Sequence, residues 1–261
     1  MQGLIDMHCH IVPGVDDGAA DIETAARMLQ MEYQNGVSAV IVTPHYRKGM
    51  FETPQDVIDH QFDNIHRLVS RSHSGMRMYL GCEYHTNSDM IGDLRSGKRP
   101  TMAGSSYVLT EFSSIHGYSV IRNQVYALLV AGYRPIIAHA ERYPCLVKEP
   151  ALLDELRELG AEIQLTSGSV LGEAGWSMKR FCMRLLKEKK VTYIASDAHD
   201  LRKRAPNLQE CADYLEKKFG SKYAEQILVR NPRRIIRSGV ALKERRNGDR
   251  GEKQQNRNNR V

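Results

Sequence analysis

Leu4-Ile5-Asp6-Met7-His8-Cys9-His10 reads as a short apolar strand ending in two histidines one residue apart. Side chains at i and i+2 of a strand point to one face, so His8 and His10 are placed to hold a metal from a single edge. The sequel Ile11-Val12-Pro13-Gly14-Val15-Asp16-Asp17-Gly18 is a loop of turn formers that carries two carboxylates back toward the strand's end. Nitrogen and oxygen ligands at the exit of a buried strand are where an α/β barrel enzyme places its metals. A strand with two surface histidines and a turn is the competing reading, and the rest of the chain decides between them.

Outward from this stretch the same rhythm repeats. Ala20 to Gln34 has helical spacing, with Asp21 as its N-cap, and Gly36 ends it. Val37 to Thr43 is a nearly continuous apolar run, as in a strand buried on both faces, and it ends at Pro44-His45. Helix Pro54 to Ser72 leads to strand Met76 to Gly81 with Glu83 and His85 beyond it; helix Ser88 to Arg95 leads to strand Tyr107 to Thr110 and Glu111. Helix Val120 to Ala131, strand Arg134 to Ala138 with His139, helix Pro150 to Leu159 and strand Ala161 to Leu165 follow. A helix around Met178 to Glu188 precedes strand Val191 to Ala195, which ends at Asp197 and His199. Helices at Leu208 to Phe219, Ala224 to Leu228 and Pro232 to Ser238 close the series. Seven strands alternating with helices predict an α/β fold with a parallel sheet closed into a barrel. A flat doubly wound sheet would gather its ligands at one switch point instead.

The 261 residues suit one large domain, and 41% apolar with 26% charged residues is ordinary for a globular chain. The first residues lack signal-peptide form and no apolar run reaches the roughly 18 residues of a membrane span, so a cytoplasmic protein is expected. Five scattered cysteines without a CxxC pair argue against a disulfide framework or a thiolate zinc site. The net charge of +6 is unevenly placed: residues 243 to 261 carry +4, leaving +2 for residues 1 to 242. Charge therefore gives no sign of nucleic-acid binding by the body. The basic tail has almost no apolar residues and is expected to be disordered, either as a solubilising end or as a weak tether to an acidic partner or membrane surface.

His8, His10, Asp17, His45, Glu83, Glu111, His139, Asp197 and His199 all fall at or just beyond the C-terminal ends of predicted strands. Packing does not ask for imidazole and carboxylate there, and nine such groups exceed the three or four ligands of one zinc site. They imply two or three divalent ions with bridging carboxylates, and a set without thiolate suits manganese, iron or zinc. No Cys-x5-Arg phosphate loop is present, so thiol-based phosphate ester hydrolysis is excluded. No GxxxxGK[ST] loop occurs either. Tyr46, Phe51, Tyr84, Phe112, Tyr118 and Tyr143 border the ligand loops, where they could wall an aromatic cleft or belong to the core.

Asp6-Met-His8-Cys-His10-Ile-Val-Pro-Gly-Val-Asp-Asp17-Gly, Thr43-Pro-His45, Gly81-Cys-Glu83-Tyr, Glu111-Phe, His139-Ala-Glu-Arg142-Tyr and Ser196-Asp197-Ala-His199 resemble the polymerase-and-histidinol-phosphatase (PHP) superfamily. Within it they are most similar to the bacterial capsule-type, manganese-dependent protein tyrosine phosphatases of the CpsB/CapC/YwqE family. The likeness runs from residue 3 to about residue 240 and departs from the family at Thr166, where Asn is frequent. It implies a distorted seven-stranded β/α barrel of the PHP type over residues 1 to 242 and a cluster of three Mn2+ (Fe or Zn in their place) held by the nine residues above. It also implies that Arg142 and Arg204 bind the substrate phosphate, and guanidinium offers paired donors suited to it. The implied activity is hydrolysis of phosphotyrosine by metal-bound hydroxide. The implied substrate is a phosphotyrosine protein, the tail of a bacterial tyrosine kinase controlling capsule or exopolysaccharide synthesis, with membrane contact only through that kinase. The alternatives are a small-molecule phosphatase of the histidinol-phosphate type and a non-catalytic metal-binding partner of a kinase.

Overall fold

β1 (Leu4–Cys9) and β2 (Val37–Val42) are almost wholly buried and pair in parallel, as apolar runs without a polar face require. They belong to a computed structural model that describes residues 1–72 and 75–258. Between and after them come α1 (Ile22–Gln34), β3 (His45–Tyr46), α2 (Gln55–Arg71), β4 (Arg77–Leu80), β5 (Glu83–His85), α3 (Met90–Ser96), β6 (Tyr107–Glu111), α4 (Tyr118–Val130) and β7 (Arg134–Ile137). The second half holds α5 (Pro144–Lys148), α6 (Leu152–Leu159), β8 (Glu162–Thr166), α7 (Ser167–Leu171), α8 (Trp176–Lys187), β9 (Tyr193–Ala195), α9 (Leu208–Phe219), α10 (Ser221–Glu225) and α11 (Asn231–Asn258).

The strands form two parallel runs, β1-β2-β4 and β3-β5-β6-β7-β8-β9. The sequence predicts seven strands; the structure divides two of them. Pro44 has no N–H to donate, so the ladder of β2 lapses there and resumes as β3, and β4 resumes as β5 after Gly81-Cys82. Gly81 N–H to the Val42 carbonyl (2.8 Å) and Glu83 N–H to the Pro44 carbonyl (3.2 Å) carry the sheet across both gaps. At the other end Asp197 N–H donates to the His8 carbonyl and His10 N–H to the Ala198 carbonyl, both at 2.8 Å. The parallel sheet is thus strongly curled, with the C-terminal ends of β9 and β1 side by side.

Alternation along the strands separates two apolar layers. Ile5, Met7, Ala39, Ile41, Leu109, Ile136 and Tyr193 pack inside the curl, where Met102 and Ile235 and Ile236 of α11 join them. Leu4, Val40, Val42, Ile163, Leu165 and Ile194 face outward against apolar stripes of the helices, such as Met28 and Leu29 of α1 and Leu153 and Leu156 of α6. Helix α1 begins as read from the sequence: the Asp21 carboxylate accepts the Thr24 N–H at 2.7 Å. α11 seats so closely on the turn at Met102–Gly104 that a Cβ on Gly239 would collide with the Ala103 carbonyl.

α5 and α7, each of five residues, are too short to leave a periodic signal and are absent from the sequence reading. The two closing helices predicted after residue 224 are instead α10, a π-helical turn at Gln226–Arg230 and one long α11. That helix extends to Asn258, through most of the segment expected to be disordered; residues 259–261 lie outside the described residues. Lys, Glu, Arg and Gln favour helix even where nothing is buried, which the argument from apolar content leaves out.

Candidate metal centre

β1 delivers the first two imidazoles through a local irregularity. Asp6 stands opposite Val40 and Cys9 opposite Val42, so three steps on β1 match two on β2. Such a bulge re-aims side chains. Beyond it His8 and His10 share a face, with their Nε2 atoms 3.2 Å apart, while Asp6 and Cys9 group on the other side with Glu32 of α1. Cys9 turns away from the histidines, as the alternation predicts.

The structure brings all nine predicted positions together at the C-terminal ends of the strands. Glu83, at the start of β5, is the hub: its Oε2 lies 3.0 Å from His8 Nε2 and 3.2 Å from both His10 Nε2 and His45 Nδ1, and its Oε1 is 2.7 Å from His139 Nε2. Asp197 Oδ1 lies 3.3 Å from His8 Nε2 and 3.5 Å from His10 Nε2. Asp17 Oδ1 is 3.5 Å from Nε2 of both His45 and His199. Glu111 approaches His45 and His139 at 3.9 and 3.8 Å. Three overlapping groups emerge, His8/His10/Glu83/Asp197, His10/Asp17/His45/His199 and His45/Glu83/Glu111, each with its donor atoms within 4.8 Å of one another. His139 and Asp197 adopt φ of 31° and 55°, a left-handed backbone that non-glycine residues seldom take and that the surrounding packing must hold.

A second layer fixes these side chains. Asp16 is buried, and its Oδ2 accepts from His10 Nδ1 (2.8 Å) and from the His45 N–H (2.9 Å), while Oδ1 accepts the Gly18 N–H. The loop closes only because residue 18 is glycine: a Cβ there would strike the His10 carbonyl and Cβ. Gln164 of β8 presents Oε1 to His8 Nδ1 (3.2 Å) and to the His139 N–H (2.7 Å). Tyr143 OH contacts His139 Nδ1 at 3.4 Å and accepts the Phe112 N–H at 3.1 Å. Asp16 and Gln164 have no assigned role in the sequence reading. The doubled Asp16-Asp17 is the signal that marks the first, while Gln164 is one of three polar residues alternating along β8 (Glu162, Gln164, Thr166) and carries no such mark. The Thr166 hydroxyl donates to buried Glu141 (2.7 Å) and so ties the His139–Arg142 turn to β8.

The electrostatics of the cluster call for cations. Burial alone would raise Asp197 and Glu83, yet the surrounding histidines, with Arg142 for Asp197, hold both well below the usual carboxylate range. Burial opposes charge on His8 and His10 too, but the facing carboxylates raise both, His10 strongly. Glu111 is pushed up to about 8 by burial and by the like charge of Glu83, and burial takes His45 down to about 4. Glu83 Oε2, His45 Nδ1, Glu111 Oε2 and His199 Nε2 are buried without a hydrogen-bond partner among the described residues, although buried polar atoms rarely go unsatisfied. His45 Nδ1 faces Glu83 Oε2 at 3.2 Å and Glu111 Oε2 at 3.9 Å, while His199 Nε2 belongs to the group with His10, Asp17 and His45, so divalent ions held in these groups would satisfy the orphans. Imidazole with carboxylate fits manganese, iron or zinc.

Above the cluster lies a cavity of about 210 Å³, lined by ligand candidates and by Arg47, Met50, Phe51, Arg142 and Arg204. Arg142 and Arg204 donate to the same Asp197 Oδ2 at 2.6 and 2.8 Å. Of the six aromatic residues considered for a cleft, only Phe51 reaches it; Tyr46, Tyr84, Phe112 and Tyr143 are buried, with Tyr46 packed edge-on against Tyr84. Tyr118 instead bonds Glu155 at the surface. Among the described residues no cysteine lines the cavity, and burial raises the thiols of Cys9 and Cys182. Cys9→Ser and Cys182→Ser should therefore keep activity within about threefold of wild type, as a buried thiol outside the cavity requires. A large loss in a folded, metal-replete cysteine variant would revive a thiol mechanism.

Behind the cluster, Asp6 binds both N–H and Oγ of Ser196 and the His8 N–H, linking β1 to the Asp197 turn. Glu32 faces it, wholly buried, with no donor for either oxygen among the described residues. Burial and the Asp6 charge hold the Glu32 carboxyl well above the usual range. A carboxyl raised in the folded state stabilises below its ordinary pKa and loses that contribution as pH climbs. Glu32→Gln supplies an amide donor without the charge, so its melting temperature should exceed wild type by more at pH 8 than at pH 6. Equal shifts at both pH values would refute the raised Glu32 carboxyl.

Comparison with known proteins finds close relatives over most of the chain. The family model for "Capsular polysaccharide synthesis, CpsB/CapC" matches residues 4–237. The tyrosine-protein phosphatase CpsB of Streptococcus pneumoniae is 35% identical over 238 residues, 89% of this chain and 98% of its own length. The tyrosine-protein phosphatase YwqE of Bacillus subtilis is 31% identical over 241 residues, 92% of this chain and 94% of its own. A crystal structure from work on YwqE and S. pneumoniae CpsB, described as metal-dependent tyrosine phosphatases, superposes with a TM-score of 0.84 at 31% identity, covering 90% of this chain and 95% of that one.

Proposed function

This chain belongs to the CpsB/CapC family of capsular polysaccharide synthesis proteins, and from that membership we infer that it is a metal-dependent protein tyrosine phosphatase. The observation that carries the inference is the set of three donor groups, sharing His10, His45 and Glu83, beneath a cavity walled by arginines. We propose that each group holds one ion, giving three Mn2+, with Fe or Zn as substitutes. His8, His10, Glu83 and Asp197 would hold the first, His10, Asp17, His45 and His199 the second, and His45, Glu83 and Glu111 the third, with His139 completing the shell around Glu83 and Glu111. When bound, such ions polarise a phosphoryl oxygen and make water a nucleophile at neutral pH.

The chain's own residues do the rest. Asp16 and Gln164 accept from the outer ring nitrogens of His10 and His8 and so set which nitrogen faces inward. Arg142 and Arg204, held at the rim by Asp197, have further donors that would bind the phosphate. Phe51 stacks on His45 with ring centroids 5.1 Å apart and shields that side of the site from water.

The domain runs over residues 1–242, and counting β2 with β3 and β4 with β5 as single staves supports a distorted seven-stranded barrel. Among the described residues no helix is long and apolar enough to cross a membrane. We place the enzyme in the cytoplasm, acting on the tyrosine-rich tail of a bacterial kinase. Phosphotyrosine peptide and histidinol phosphate, assayed side by side with the manganese-loaded protein, test the reading: turnover confined to histidinol phosphate, or none at all, overturns it.

Arg142→Lys is expected not to be conservative, because ammonium keeps the charge but loses the fork. A charge-assisted hydrogen bond contributes about 1.5–3 kcal/mol, so kcat/KM should fall about 10- to 150-fold while elemental analysis finds the metal content unchanged. A variant within about twofold of wild type, or one that has lost its ions, contradicts the assignment.

A further inference from the structure

The cavity has three arginines, and they are not alike. Arg142 and Arg204 already share an acceptor, Asp197 Oδ2. Arg47 lines the same cavity, half-buried, yet among the described residues no carboxylate comes within ion-pairing distance of its guanidinium. Strand order sets it apart from that pair: Arg47 follows β3, which pairs with β5, and β5 pairs His85 with Glu111 of β6, whereas Arg142 and Arg204 follow β7 and β9.

Arg47 is also held in place. A tight turn joins it to Phe51 by reciprocal backbone hydrogen bonds of 2.9 and 2.8 Å. Phe51 stacks on His45, whose N–H is fixed by Asp16. The next residue, Lys48, points elsewhere and pairs with Asp89 at 2.7 Å on the exposed surface. An unpaired guanidinium on a fixed turn, facing a cavity full of carboxylates, has its donors free for an incoming anion.

We propose that Arg47 is a substrate-binding residue that donates to a phosphoryl oxygen from the Glu111 side of the cavity, opposite the Arg142–Arg204 pair. The proposal rests on the phosphomonoesterase reading of the site. It makes the phosphate gripped from two sides, with the free cation supplying the donors that the Asp197-bound pair has already partly committed. The same guanidinium chemistry would suit a carboxylate flanking the phosphotyrosine, and the substrates below separate the two anions.

The test uses manganese-loaded full-length Arg47→Ala, Arg47→Lys and Lys48→Ala. Each is measured for kcat/KM on p-nitrophenyl phosphate and on phosphotyrosine peptides with neutral or acidic flanks, for competitive inhibition by inorganic phosphate, and for metal content. Losing a charged donor pair predicts about a tenfold or larger fall for Arg47→Ala on every substrate and a comparable weakening of phosphate inhibition, with metal retained. Arg47→Lys should fall between it and wild type, and Lys48→Ala, the same charge change on the same turn, should stay within about twofold. A loss seen only with acid-flanked peptides, a fall of twofold or less on p-nitrophenyl phosphate, equal damage by Lys48→Ala, or loss of ions overturns the proposal. If wild type hydrolyses some other phosphomonoester and spares phosphotyrosine, the tyrosine phosphatase reading fails on its own, and phosphate inhibition of the Arg47 variants still decides this one.

Discussion

Glu83→Gln should yield a folded protein with almost no phosphatase activity, a fall in kcat/KM of about 10³-fold or more, or roughly 4 kcal/mol of transition-state stabilisation. The reason is position. One Glu83 oxygen faces His8, His10 and His45 while the other faces His139, so this carboxylate touches two of the three donor groups directly and shares His10 with the remaining one. An amide keeps the shape but removes the negative charge that ions held there would require. His8→Ala, Glu111→Ala and Asp197→Ala should behave alike. Asp16→Ala, which removes only the support of His10 and His45, should cost less, about 10- to 100-fold. Kinetics on a phosphotyrosine peptide with elemental analysis of each variant checks the ranking. If Glu83→Gln keeps its ions and stays within tenfold of wild type, the hub assignment is wrong.

Most of this centre is legible in the sequence, because its chemistry is written at strand ends. His8, His10, His45, Glu83, Glu111, His139, Asp197 and His199 each follow a run of apolar residues, and a parallel sheet gathers such ends on one rim. What the sequence conceals is geometry that breaks the period. The β1 bulge puts Asp6 and Cys9, three residues apart, on a common face with Glu32, where strict alternation would have set Asp6 beside His8. Pro44 and Gly81-Cys82 interrupt strands that read as continuous. The buried supports are harder still: Gln164 is one of three polar residues alternating along β8, and nothing local says that it serves both His8 and His139. Arg47 looks like one member of a basic turn, and only its three-dimensional setting separates it from surface Lys48.

The aromatic residues mark the opposite limit. Residue type suggests six candidates for a substrate cleft, and burial leaves one. Tyr84 donates to Asp93 and Tyr143 serves His139 and Phe112, so their hydroxyls are spent on the scaffold. A buried tyrosine needs such a partner, which a sequence cannot display. His139 and Asp197 also carry a backbone strain invisible in their identities; the turn at Glu141 and the Asp6–Ser196 bonds hold it in the fold.

Removing the divalent ions should abolish hydrolysis, and manganese should restore it best. More than one ion per chain is expected, because the donors of three overlapping groups exceed the capacity of one centre. Chelation should also change how stability depends on pH. In the metal-free cluster His8 and His10 are raised by the facing carboxylates, against the effect of burial. A histidine raised in the folded state contributes stability that is complete below its ordinary value of about 6.5 and is lost as pH climbs through the folded pKa. The chelated protein should therefore lose melting temperature from about pH 6.5 upward. Ion binding needs those same nitrogens deprotonated, so it should release protons, and the manganese-loaded protein should show a flatter profile over this range. Melting curves with and without chelator between pH 6 and 9, together with ion counts and calorimetry in two buffers of different ionisation enthalpy, test all three points. Full activity in excess chelator, at most one ion per chain, or parallel pH profiles with and without metal would each count against a polynuclear centre built on these residues.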